Sequence, residues 1–316
     1  MKYFYLFLCL FSCFIISAQE KFSKEISLIT DNDLYISLIK DRYYTSGIFL
    51  NYKYLAKNNK ENIAKRIIEW EIGHEMYTPH KPTVTNISQH DRPFAGYLYA
   101  GFGVNRIYKS NKILNTSLQV GVIGPNSYAK ELQVFIHNFY EFREPQGWEH
   151  QIKNAFALNF QVEYKQFLFK NTSNHFDMTW LNEAKVGTVN TKFSTGFLSR
   201  IGFLPLQNLI NSVAFDTSLN NENTPYFREA ESFFYIKPTF NYTLYDATLQ
   251  GSFLNTTSDV TKELVPFVFN VELGIRFTVN RFNFGYAYMY HTNKSEGLRY
   301  TNGTSYGQII MNYLIR

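Results

Sequence analysis

His137 and Gln133 stand four residues apart in Tyr128-Ala129-Lys130-Glu131-Leu132-Gln133-Val134-Phe135-Ile136-His137-Asn138-Phe139. On a helix that spacing turns both side chains the same way. Such a histidine is a candidate for catalysis near neutral pH, although a lone helical histidine is more often simply packed or solvated. A second group is Thr30-Asp31-Asn32-Asp33, whose carboxylate and amide oxygens are the hard donors that Ca²⁺ takes. The same residues also favour an Asx turn, and the Gly and the terminal Glu of an EF-hand loop are missing. Asp41-Arg42-Tyr43-Tyr44-Thr45-Ser46-Gly47 brings the Thr45 hydroxyl to a strand entrance, with the parity of Asn51 and Lys53 and hence toward a lumen or a site; Thr and Gly there also serve as ordinary strand-entry residues. In His90-Asp91-Arg92-Pro93-Phe94-Ala95-Gly96-Tyr97, Arg92 offers a planar fork for phosphate or carboxylate, or a local ion pair with Asp91.

The elements that must carry these groups are mostly strands. From Phe267 to Val279 every odd position is apolar, and from Asn270 onward every even one is polar or Gly, the period of a strand with one greasy and one wet face. Phe234, Ile236, Pro238, Phe240, Tyr242 and Leu244 repeat the pattern, as do Phe282 to Tyr290 and Ile48 to Tyr54. These segments run to about 10–13 residues, what a tilted strand needs to cross a bilayer. Their apolar faces are dense in Tyr and Phe, as at the aromatic girdles of membrane barrels, and polar Asn-rich loops such as Asn58–Asn62 separate them. Strands in lipid must close so that no backbone group is left unpaired. The expected fold is therefore all-β, an antiparallel transmembrane β-barrel of about twelve strands, with a short amphipathic helix inserted around residues 128–140 after the turn signal Gly124-Pro125-Asn126-Ser127.

Composition agrees. Of 316 residues, 18% are aromatic and 18% charged, against roughly 25% charged in soluble domains. The net charge of +5 comes from Lys and Arg scattered singly, without the patch or stripe a nucleic-acid partner requires. Met1-Lys2, the apolar run Tyr3–Ile16 and the small pair Ser17-Ala18 read as a signal peptide cut after Ala18, leaving one barrel domain over residues 19–316. Cys9 and Cys13 lie inside the leader, so no disulfide is expected after it. The rival reading, a lipoprotein box at Leu10-Phe11-Ser12-Cys13, fits poorly with Phe at its second position.

Taken in order, Asn32-Asp33, Asp41 to Gly47, Asp91 to Gly96, Gly121 to Pro125 followed by Glu131-Leu132-Gln133 and His137, and Gly147-Trp148 with Gln151 resemble the signatures of the lipid A 3′-O-deacylases of the Gram-negative outer membrane. The resemblance covers about residues 26–155, with Ala155 departing from an acid common in the family. It implies a twelve-stranded barrel with a site near its outer rim and Ca²⁺ as cofactor. It further implies His137 as general base, Gln133 orienting that base or the substrate, Asp33 binding Ca²⁺, and Asn32 and Thr45 near the ester or its oxyanion. Because lipid A carries phosphates, Lys81 in Pro79-His80-Lys81-Pro82 and Arg92 are the candidates to hold them; Lys81 serves equally as a surface lysine. Lipopolysaccharide is then the substrate and outer-membrane lipid the surroundings, with no obligate protein partner inferred. An outer-membrane phospholipase is a competing expectation, although no serine sits in a recognisable partner motif to His137. A passive porin-like barrel is another, although it would be expected to show charged lumen rings and no ordered site motifs.

Overall fold

The computed structural model describes residues 21–36 and 42–316; the expected signal peptide and Asp41 lie outside them. Twelve antiparallel strands close into one barrel: β1 (Lys24–Asn32), β2 (Tyr43–Ala56), β3 (Ile63–Thr78), β4 (Ala95–Tyr108), β5 (Lys112–Ile123), β6 (Ala155–Lys170), β7 (Phe176–Gly187), β8 (Asn190–Gly202), β9 (Ser232–Asp246), β10 (Phe267–Val279), β11 (Phe282–His291) and β12 (Thr304–Ile315). The seam pairs β1 with β12, from Lys24↔Ile315 to Asn32↔Gly307. Among the described residues two α-helices interrupt the strands, α1 (Ala129–Phe139) and the single turn α2 (Ala247–Gln250).

The period-two pattern is written directly into the wall. Leu50 and Tyr52 on β2, Trp70 and Ile72 on β3, Phe102 on β4 and Ile236 and Phe240 on β9 are exposed on the outside, whereas Asn51, Lys53, Asn105, Gln119, Asn159 and Asn241 are buried in the lumen. Apolar groups outside and polar groups inside suit a wall whose outer solvent is lipid. Both ends of the chain's barrel segment, Lys24 and Ile315, lie at one mouth, where the connections are 57–62, 109–111, 171–175, 203–231 and 280–281. In the last of these Asn280, at φ 51°, supplies the left-handed residue a tight hairpin needs. The other mouth carries the β1–β2 connection and 79–94, 124–154, 188–189, 247–266 and 292–303. Short turns mark the periplasmic mouth of such a barrel and long loops the extracellular one.

Connection 203–231 is long, yet it sits at the periplasmic mouth and folds into the lumen. Its Leu206, Leu209, Ile210, Val213, Phe215 and Leu219 are buried against Ile67, Ile107, Leu198 and Phe233 of the wall. Charges tether it: Asp216 lies 3.1 Å from the Lys53 ammonium, and Arg200 of β8 grips Asp177 while donating to the Ser212 hydroxyl at 2.6 Å. The Lys65 ammonium donates to the Thr217 carbonyl at 2.7 Å. A segment held by buried apolar packing and by ion pairs whose partners would be stranded without it is part of the folded core. The lower lumen is filled by protein.

Candidate active site

The cross-strand partners Asn32↔Ser46, Ser46↔Met76 and Met76↔Gly96 form one row across β1 to β4 at the extracellular rim. Each shares the outward parity of exposed wall residues on its own strand, such as Ile72 on β3 and Phe102 on β4. Met76 is nevertheless only 1% exposed. The cover is α1, lying against the outside of the wall. Ala129, Leu132 and Ile136 pack with Met76, Phe94 and Trp148, and the outward-facing His74 meets the Ser127 carbonyl through Nε2 at 2.9 Å. Gly96 makes the close approach possible: a Cβ there would fall 2.1 Å from Ser127 Oγ and 2.4 Å from the Ala129 Cβ.

The helix presents an unexpected face to the wall. Gln133 and His137 are buried in line with Ala129, whereas Phe135 and Phe139 are 67% and 72% exposed. A polar seam turned inward and an aromatic ridge turned outward suit a helix at the edge of lipid. His137 Nδ1 lies 2.5 Å from the Arg143 carbonyl. A carbonyl only accepts, so Nδ1 carries the proton and the lone pair of the neutral ring sits on Nε2. The Gln133 Oε1 accepts from the Trp148 indole N–H at 2.7 Å, which fixes the amide's orientation. Its buried Nε2 has no hydrogen-bond partner, an unused donor in the seam between helix and wall.

Asn32 ends β1 and caps the following 3₁₀ turn, Asp33–Tyr35, by accepting from the Leu34 N–H at 2.8 Å. Asp33 is 1% exposed and accepts the Arg42 N–H at 2.8 Å. Asp33 and Arg42, with Tyr288, Tyr290 and Ser305, line a cavity of about 330 Å³ on the outward side of β11 and β12, beside the same rim. The Arg42 guanidinium lies 3.7 Å over the Tyr300 ring. Next to it, Tyr43 is buried at φ 67°, a strained conformation for a bulky residue. Its hydroxyl donates to Asp91 at 2.8 Å and accepts the Tyr300 N–H at 3.0 Å. Burial would raise the Asp91 carboxyl, but the N–H of Arg299, the Tyr43 hydroxyl and the His80 N–H outweigh it and hold the group below its usual value. That carboxylate joins loops 79–94 and 292–303 to the first residue of β2.

Residues 4–315 match the family described as outer membrane protein LpxR. The chain belongs to the LpxR family. Among solved structures, LpxR from Salmonella typhimurium superposes with a TM-score of 0.71 at 17% identity, covering 92% of this chain and 100% of that one. The β domain of the Bordetella autotransporter BrkA reaches a TM-score of 0.47 at 8% identity, covering 94% of this chain and 100% of that one. No curated protein matches significantly. As a member of the LpxR family with this closed barrel, the protein resides in the Gram-negative outer membrane and is a lipid A-modifying enzyme.

Set against the family motifs, all seven candidate residues lie at the extracellular end of the barrel, but they do not form one cluster. Asn32 and Asp33 lie at the end of the outer row, and Gln133 and His137 lie in the seam where α1 covers its other end. The register passes from Tyr44↔Tyr77 to Ser46↔Met76, so Thr45 is the extra residue of a bulge and the period-two count from Asn51 and Lys53 does not carry through to it. Arg92 forms no ion pair with Asp91. It is buried in the lumen, donating to the Thr248 hydroxyl at 2.8 Å and lying 4.2 Å over the Tyr77 ring. Burial lowers its pKa, with Asp246 opposing the shift. Lys81 is exposed on its loop. Arg42, Trp148 and His74 were not singled out from sequence, although Arg42 and Trp148 stand inside the ordered motifs; nothing but the outward parity of β3 marks His74.

Proposed function

We propose that this protein hydrolyses the 3′-linked acyloxyacyl ester of lipid A in the outer leaflet, with His137 as general base. The observation that carries the reading is the buried His137 on the outer wall, its Nδ1 held by the Arg143 carbonyl so that Nε2 is the basic nitrogen. The seam between α1 and the wall lies on the lipid side of the barrel, where a lipid substrate resides, and the plugged lumen gives no support to a passive porin.

In the proposed reaction Nε2 takes a proton from a water, the resulting hydroxide attacks the ester carbonyl, and the collapsing intermediate releases the sugar 3-oxygen, which recovers the proton from the imidazolium. The unpartnered Gln133 amide is placed to donate to the carbonyl oxygen as charge develops on it. Asn32 and Thr45 hold the ester from the β1 and β2 side. Arg42 is better placed than Arg92 to meet a lipid A phosphate, because it lines the outer cavity rather than the lumen; Lys81 serves as a second, loop-borne cation.

Asp33 is proposed to bind Ca²⁺. The donors around it are oxygens, a buried carboxylate, the Asn32 amide and the carbonyls of a 3₁₀ turn, which suits a hard cation. Among the described residues no three His, Cys, Asp or Glu side chains gather. When bound the cation would supply positive charge beside the developing oxyanion.

Mass spectrometry of lipid A from membranes with and without the protein, each incubated with Ca²⁺ or with chelator, tests the reading. A Ca²⁺-dependent loss of the 3′ acyloxyacyl mass is expected. An unchanged spectrum from folded protein overturns it, and released fatty acid from glycerophospholipid would then identify a phospholipase. Gly96→Val should lift α1 off the wall and lower deacylation about 100-fold, the cost of misplacing a catalytic group by an ångström. The barrel should keep its heat-modifiable migration on a gel; wild-type activity would show that α1 need not seat on β4.

A further inference from the structure

Far from this site, at the periplasmic edge of the lipid-facing wall, Arg66 of β3 and Arg106 of β4 are direct cross-strand partners. Both carry the outward parity of Trp70 and Phe102. Arg66 is exposed and Arg106 half-buried, its guanidinium donating to the outward Thr116 hydroxyl of β5 at 3.0 Å. Lys112 opens β5 on the same face, opposite Tyr108. Like charges directly opposite on one face of a sheet repel. The carboxylates nearest in sequence do not relieve them, since Glu69 turns into the lumen beside Lys53 at 3.5 Å, and among the described residues neither guanidinium has an ion-pair partner.

The height of the pair on the wall is informative. On β4 the outward positions between Arg106 and the rim glycine, Gly96, are Leu98, Ala100, Phe102 and Val104. Four such positions at about 6.6 Å each, tilted, span roughly the 25 Å apolar band of a membrane barrel. The two arginines therefore stand just below that band, with Tyr54 and Tyr108 at girdle level, where headgroups of the inner leaflet lie.

We propose that Arg66 and Arg106, with Lys112 beside them, bind the phosphate headgroup of an anionic glycerophospholipid of the periplasmic leaflet. Two planar forks on adjacent strands can each engage phosphate oxygens, and the lipid's charge removes the repulsion between them. The site is independent of the deacylase reading, being at the opposite end of the wall.

The test is native mass spectrometry of the full-length protein released from phosphatidylcholine nanodiscs doped with phosphatidylglycerol. Wild type is expected to retain phosphatidylglycerol over phosphatidylcholine by about 10-fold or more, from two cations at the headgroup surface. Arg66→Gln with Arg106→Gln should abolish that preference without altering heat-modifiable migration. Arg66→Lys with Arg106→Lys should keep part of it, charge without the fork. Equal retention of the two lipids by wild type overturns the proposal. So does an undiminished preference in the folded glutamine variant, which would assign the selectivity to residues other than these two arginines.

Discussion

Replacing His137 by Ala is expected to lower deacylation by about 10²–10⁴-fold, the usual worth of a positioned general base, while the barrel assembles normally. The separation of the two effects follows from where the residue sits. His137 is borne by α1, which is laid on the finished wall, and no ladder hydrogen bond of the twelve strands runs through it. Its loss removes the Nε2 base and the Nδ1 contact to Arg143 but leaves the Gly96 seat of the helix intact. Lipid A mass spectrometry on protein that migrates in the heat-modifiable form is the measurement. Turnover at the wild-type rate by such protein would remove His137 from the reaction. His137→Gln separates packing from chemistry: it fills the same seam without a basic nitrogen and should be as inactive as Ala.

Asp33→Ala is expected to cost about 10²–10³-fold, comparable to losing one stabiliser of an oxyanion, and excess Ca²⁺ should restore activity only in part. Asp33→Asn refines the test. An amide oxygen can still accept the Arg42 N–H that Asp33 now takes at 2.8 Å, so the turn is preserved while the negative charge is lost. If Asp33 acts through a cation, the Asn variant should need a higher Ca²⁺ concentration for half-maximal activity than wild type. If its role is confined to the turn, Asn should behave as wild type. Full wild-type activity in chelator would end the metal assignment for the native protein as well.

The wall was legible because a strand's period is a local property: Phe234 to Leu244 and Phe282 to Tyr290 show their greasy face without reference to any neighbour. The helix was legible for the same reason, expected around 128–140 and found at Ala129–Phe139. The candidate site was legible only as an ordered set of motifs. Spacing turned Gln133 and His137 the same way but did not say toward what. A reading by hydrophobic pattern would bury Phe135 and Phe139, and the structure leaves both exposed, because in lipid the outer solvent is the apolar one.

The amino-acid sequence by itself determined the alternation and the even set of strands that must close, since each follows from period two and from the cost of an unpaired backbone group in lipid. Tertiary structure alone decided three things. Thr45 falls in a bulge, which only the pairing register reveals. Arg92 enters the lumen while Arg42 takes the outer cavity, because the fold of loop 79–94 depends on the contacts of Arg92 with Thr248 of α2 and of Asp91 with Tyr43 and Arg299, all far away in the chain. Connection 203–231 becomes a plug because its apolar side chains find partners on inward wall positions, a match between distant segments that no local pattern records.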